Sequence, residues 1–143
     1  MRNAVLAVTV LGILLSTCLC LWVTSRPQGS AVLDVTPARV QTLRESIRRF
    51  GPEVAYKKFV EEVQQAPAGT HHTQAHYFGT ALYNEVGIEG FSACDATFAF
   101  GCHHEFIGHA IQEHGEGVIS YLNEKCRALG GGYLACQHGI GHG

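Results

Sequence analysis

Residues 102–109 and 136–142 carry one device twice. The first copy reads Cys102-His103-His104-Glu105-Phe106-Ile107-Gly108-His109, the second Cys136-Gln137-His138-Gly139-Ile140-Gly141-His142. Each is Cys-x-His, a short spacer, then Ile-Gly-His, and the copies start 34 residues apart. A further cysteine precedes each, Cys94 by eight residues and Cys126 by ten. A period near 34 is that of a helix–turn–helix unit that stacks on its neighbours. The chain is therefore expected to be all-α, with glycine-rich turns holding the Cys-x-His segments. His72-x-x-x-His76 followed by Gly79 reads as a degenerate earlier copy without cysteines.

The segment before the repeat divides in three. Ala4–Val23 is twenty residues without a charge, flanked by Arg2 and Arg26, with Trp22 near its far end. That is about the length a helix needs to cross a bilayer. No clear small-residue cleavage site is present, and Leu15-Ser16-Thr17-Cys18 is a poor lipobox. Residues 1–23 are read as a signal anchor or signal peptide, with contact to the membrane through residues 4–23 and the body outside the cytoplasm. Residues 24–35, with Pro27, Gly29 and Ser30, form a linker.

Residues 36–69 read as a helical hairpin. Thr36-Pro37 is an N-cap followed by proline at the first helical position. Val40, Leu43, Ile47 and Phe50 then follow at steps of three and four, and Gly51 can close the helix. Pro52 opens a second helix with Ala55, Phe59, Val60 and Val63 on its apolar side.

Residues 70–143 are the His/Cys-rich domain. All nine histidines lie there, with two basic residues, Lys125 and Arg127, against seven carboxylates. A third helix is expected from about Thr70 to Val86, with His72, His76, Gly79 and Tyr83 along one stripe. Further helices are expected at about 103–114 and 118–129, with loops at 87–101 and 130–137. The second copy reaches Gly143 before any counterpart of the helix that follows His109. A repeat array needs a terminal cap, so a complete chain and a truncated one both stay open.

The elements H-x-x-G-x-x-x-Y (His76, Gly79, Tyr83), Gly101-Cys102-His103-His104 and Cys136-x-His138-Gly139-x-Gly141-His142 stand in order over about 70–143. In this combination the chain resembles an uncharacterised group of bacterial membrane-anchored proteins with recurring Cys-x-His-Gly and Gly-His motifs. The resemblance implies one extracytoplasmic domain and no particular reaction. The first copy departs from that form, because Glu105 stands where glycine is commoner.

The chemistry expected is that of a divalent transition ion, zinc or iron. Imidazoles at i and i+4 on a helix chelate one ion, and a third histidine or a carboxylate completes the shell. His72/His76 and His138/His142 have this spacing, and Glu105/His109 pairs a carboxylate with an imidazole in the same way. The candidate ligands are His72, His76, His104, His109, His138 and His142, with Glu105 as the candidate catalytic base or ligand. His71 and His114 read as structural. The next histidine after His104-Glu105 comes one place too late for the H-E-x-x-H of a zincin.

Cys94, Cys102, Cys126 and Cys136 are an even set, and an oxidising compartment favours two disulfides. Four cysteines allow three connectivities, and the repeat suggests Cys94–Cys102 and Cys126–Cys136. Thiolate ligation of zinc and redox chemistry stay open beside it.

Composition closes other routes. A net charge of -2 with no basic block argues against nucleic acid. The glycines lack the lysine of a P-loop, and neither Gly-x-Ser-x-Gly nor C-x-x-C-H occurs. Three functions stand: a membrane-tethered metal-binding domain, a metal-dependent enzyme of hydrolase or oxygenase type, and a disulfide-stapled interaction module without metal.

Overall fold

Pro37 and Pro52 each stand at the start of a helix, where a missing N–H costs nothing. They open α1 (Pro37–Phe50) and α2 (Pro52–Val63), separated by Gly51 at φ 79°. The computed structural model describes residues 37–142, and the side chain of His142 lies outside what it describes. The expected signal anchor at 1–23, the linker at 24–35 and the Thr36 cap also lie outside the described residues. No helix among the described residues is long and apolar enough to cross a membrane.

The remaining helices are α3 (His71–Val86), α4 (Gly101–His114), α5 (Ile119–Ala128) and α6 (Tyr133–His142). Short 3-10 turns at Ala68–Thr70, Gly87–Ala93, Gly115–Val118 and Gly130–Gly132 join them. The described residues contain no strand, so the fold is all-α as expected.

The hairpin closes over α3. Leu43 and Ile47 of α1 and Ala55, Tyr56, Phe59 and Val63 of α2 are buried with Ala75, Phe78, Ala81 and Leu82 of α3. Phe78 is the hub, with ring centroids 4.9 Å from Phe59 and 5.2 Å from Tyr56. Each of these large side chains, once buried, is worth about 1.5–3 kcal/mol. Arg44 and Arg48 of α1 both reach Glu85 of α3, at 2.9 and 2.6 Å. Those guanidiniums, Arg48 first, hold the Glu85 carboxyl down at about 2.

The second half differs from the expectation in one respect. The Cys-x-His segments do not sit in irregular turns: residues 102–104 lie within α4 and 136–138 within α6. The segment expected as a loop at 130–137 is a 3-10 turn followed by the start of α6. Glycine is a poor helix former, which is why residues 139–141 do not advertise a helix. Packing overrides propensity here. A Cβ at Gly139 would stand 3.0 Å from His104 Cδ2 and 3.2 Å from Ile107 Cδ1, so the small residue lets α6 lie close on α4.

Two disulfides fix this half, Cys94–Cys102 and Cys126–Cys136, with Cα separations of 6.0 and 5.5 Å. The first ties the loop before α4 to its first turn, and the second ties α5 to α6. The pairing is the one the repeat suggests, and it leaves none of these four cysteines as a thiolate ligand.

The most extensive helix pair is α3 with α4, and it depends on Gly79. A Cβ there would collide with the Cys102 carbonyl oxygen and stand 3.1 Å from Glu105 Cβ. Backbone cannot move aside as a flexible side chain can. Gly79→Ala is therefore expected to destabilise the fold by about 1–3 kcal/mol, the range for overpacking. Gly108, in the same helix pair but with open space around it, is the contrast: Gly108→Ala is expected to gain up to about 1 kcal/mol of helix propensity. Urea midpoints of the two variants check this.

Candidate metal centre

Three helices bring imidazoles to one place. His72 and His76 stand one turn apart on α3, and their ring centroids are 4.7 Å apart. His104 of α4 faces them, its ring 5.5 Å from His72 and 6.0 Å from His76. One ring nitrogen from each of the three lies within 4.8 Å of the others. The ring of His138 of α6 also lies near His104, at a centroid distance of 5.8 Å.

The outer nitrogens of the α3 pair are pinned. His72 Nδ1 lies 2.8 Å from the Phe98 carbonyl oxygen, and His76 Nδ1 lies 3.1 Å from Glu105 Oε2. A carbonyl can only accept, so His72 Nδ1 carries the proton and donates it. Glu105 is also an acceptor, because the His76 hydrogen bond above all holds its carboxyl below the usual range. In the neutral form of both rings this leaves each Nε2 with a lone pair, and the two Nε2 atoms lie 3.0 Å apart. Two lone pairs at that distance repel unless a proton or a metal cation lies between them. A histidine whose far nitrogen is held by a carbonyl or a carboxylate is the usual arrangement around a bound metal.

The Phe98 carbonyl comes from an uncommon piece of backbone. Phe98, Ala99 and Phe100 have φ of 56°, 53° and 62°, three consecutive residues in the left-handed region without a glycine. Asp95 anchors the loop before them, accepting from Thr97 N at 2.7 Å and from Tyr56 Oη at 2.9 Å. The Cys94–Cys102 bridge closes it. Phe98 also packs edge-on to Phe59, at 6.2 Å, and beside His71, at 5.1 Å. Nothing in the composition of Phe98-Ala99-Phe100 signals this turn.

The other candidates are distributed as follows. His109 does not join the three: its Nε2 lies 3.2 Å from Thr80 Oγ1 and 3.6 Å from Glu105 Oε1, and its ring stacks on Tyr83. Glu105 thus stands between His76 and His109, using a different oxygen for each, on the side of His76 away from its Nε2. The side chain of His142 lies outside the described residues. His71 is bound to the Ala66 carbonyl at 2.8 Å and braces the start of α3. His114 is exposed at the end of α4.

A cleft of ≈ 290 Å³ opens beside the α3 pair, lined by His72, Thr73, His76, Tyr77, Thr80 and Glu105. Thr73, Tyr77 and Thr80 fall at steps of four and three on the same helix, a pattern that was visible but carries no chemical signature on its own. Burial near Glu105 raises the Tyr77 hydroxyl, and burial lowers the His104 imidazole, helped by the neighbouring His72 and His76.

His103 is the histidine the motif reading passed over. It sits one place after Cys102, fully buried, between Phe91 at 4.8 Å and Phe100 at 5.8 Å. Its nitrogens face the backbone of Asp95 and Phe91 without good hydrogen-bond geometry. No family model, no characterised protein and no solved structure matches the chain. The functional reading therefore rests on this geometry.

Burial pushes His103 down from 6.5 to about 4. In the unfolded chain the ring takes a proton below about 6.5, whereas in the folded one it does so only below about 4. The unfolded state binds more protons in between, so stability is expected to fall as pH drops through that window, by on the order of 3 kcal/mol. Urea midpoints at pH 7 and pH 4 should show this loss, and His103→Leu should remove most of the difference.

Proposed function

We propose that the chain is a membrane-tethered, extracytoplasmic domain that binds one divalent transition ion through His72, His76 and His104, with His138 beside them as a fourth ligand. The observation that carries the reading is the 3.0 Å approach of two Nε2 atoms whose partner nitrogens are already committed, with a third imidazole in reach. Glu105 and the Phe98 carbonyl act as the orienting groups. Two disulfides agree with an oxidising compartment, and the apolar stretch at 4–23 supplies the tether in this reading.

The cleft favours a second reading. A ≈ 290 Å³ space beside two of the ligands gives room for a small molecule at the ion, as a metal-dependent enzyme requires. Glu105, Tyr77 and Thr80 would be the groups that meet it. An interaction module without metal would want its histidines dispersed, and the gathering of these three speaks against it.

Elemental analysis of the purified full-length protein tests the first reading. One equivalent of metal is expected, lost on His76→Ala or His104→Ala and kept on His114→Ala. Glu105→Gln should keep the ion but weaken it by about 10- to 100-fold, the usual effect of removing an orienting carboxylate. Full metal content in His76→Ala/His104→Ala, with circular dichroism unchanged, would overturn the shared site.

A further inference from the structure

Resting on the metal reading above, we infer that the site is built for copper(II) in a tetragonal arrangement, and that the fixed spacing of His72 and His76 makes the choice. The donor set comes first. Cys94, Cys102, Cys126 and Cys136 are held in disulfides, so they supply no thiolate for soft-metal chemistry. The nearest carboxylate, Glu105, binds His76 at Nδ1, on the opposite side of the ring from Nε2. The gathered ligands are therefore imidazoles alone. Oxygen-seeking ions are disfavoured by that set, and so is the iron centre that needs two histidines and a carboxylate. Zinc, nickel and copper(II) remain.

Geometry then separates them. Two nitrogens 3.0 Å apart, each about 2.0–2.1 Å from one ion, subtend an angle of about 94°. A tetrahedral ion with the same bonds would hold them about 3.3–3.4 Å apart. The pair cannot open freely, because both rings rise from one helix and each is tied at its far nitrogen. Spreading them would lengthen the bond to the Phe98 carbonyl, whose loop the Cys94–Cys102 bridge closes, or the bond to Glu105. An angle near 90° is the cis angle of a tetragonal centre, which copper(II) and nickel(II) prefer and zinc does not require. Between those two, nitrogen donors hold copper(II) more tightly.

Copper(II) outranks zinc at most nitrogen sites, so affinity order alone is a weak test and the coordination geometry decides. The full-length protein should be loaded separately with copper(II), zinc(II) and cobalt(II) salts. Copper(II) is expected to bind at one equivalent and at least about tenfold more tightly than zinc(II). Its electron paramagnetic resonance spectrum should be axial, with couplings to the imidazole nitrogens. The cobalt(II) form should absorb only weakly in the visible. An intensely absorbing, tetrahedral cobalt(II) form, a copper spectrum of tetrahedral character, or zinc holding the site against equal copper would overturn this inference and leave the metal site standing. Failure of all three ions to bind would overturn both.

Discussion

The approach of α3 to α4 at Gly79 is the contact on which the rest depends. With the α3 backbone lying against the Cys102 carbonyl, His76 and Glu105 come within hydrogen-bond reach, and so do Tyr83 and Glu113, at 2.8 Å. A methyl group at that point would force the helices apart and carry His104 away from the α3 pair. The core on the other face of α3 presses it into place: Phe78 and Leu82 are completely buried under the hairpin. The hairpin is thus more than a spacer, because it holds the helix that carries two of the three gathered imidazoles.

The site adds a local cost to this frame. Three consecutive non-glycine residues in the left-handed region cost roughly 1–2 kcal/mol each. What they gain is one carbonyl oxygen aimed at His72 Nδ1. The turn is held from several directions at once: by the disulfide at its ends, by Tyr56 and Thr97 on Asp95, and by Phe98 against Phe59. An ordering of this kind places the strain next to the candidate ligands and the compensation in the core. It also means that the geometry around His72 is set by the fold.

Much of this was legible in the sequence, and the failures have physical causes. The hairpin and α3 announce themselves through proline starts, glycine stops and stripes at steps of three and four. His72 and His76 were visible as an i, i+4 pair, because helix geometry alone brings them together. The disulfide pairing followed from two copies of one spacing. By contrast, α6 was hidden because Gly139 and Gly141 weaken helix propensity, and only its packing on His104 and Ile107 explains why glycine is there. His109 shares the motif with His104 yet stands five residues further along α4, well over a helical turn, and stacks on Tyr83 instead. The left-handed turn at 98–100 depends on a covalent closure and a buried aromatic cluster, and neither is a local property of three residues.

The repeated Cys-x-His has a geometric meaning that also explains why its two copies differ. Residues two apart on a helix point about 200° away from each other. A cysteine drawn inward by its disulfide therefore turns the histidine two places later outward, to the rim of the helix. Cys102 and Cys136 are both fully buried, and His104 and His138 emerge accordingly. His103, only one step from Cys102 and about 100° round the helix, stays on the inner side between Phe91 and Phe100. What happens at the rim depends on the neighbour. α3 and α6 flank His104, so its imidazole is half-buried among other imidazoles, and burial lowers it. His138 emerges from the same device on α6 and is exposed. One motif thus serves two purposes: the cysteine fixes the helix to the core, and the adjacent helices decide how deeply the histidine at the rim is buried.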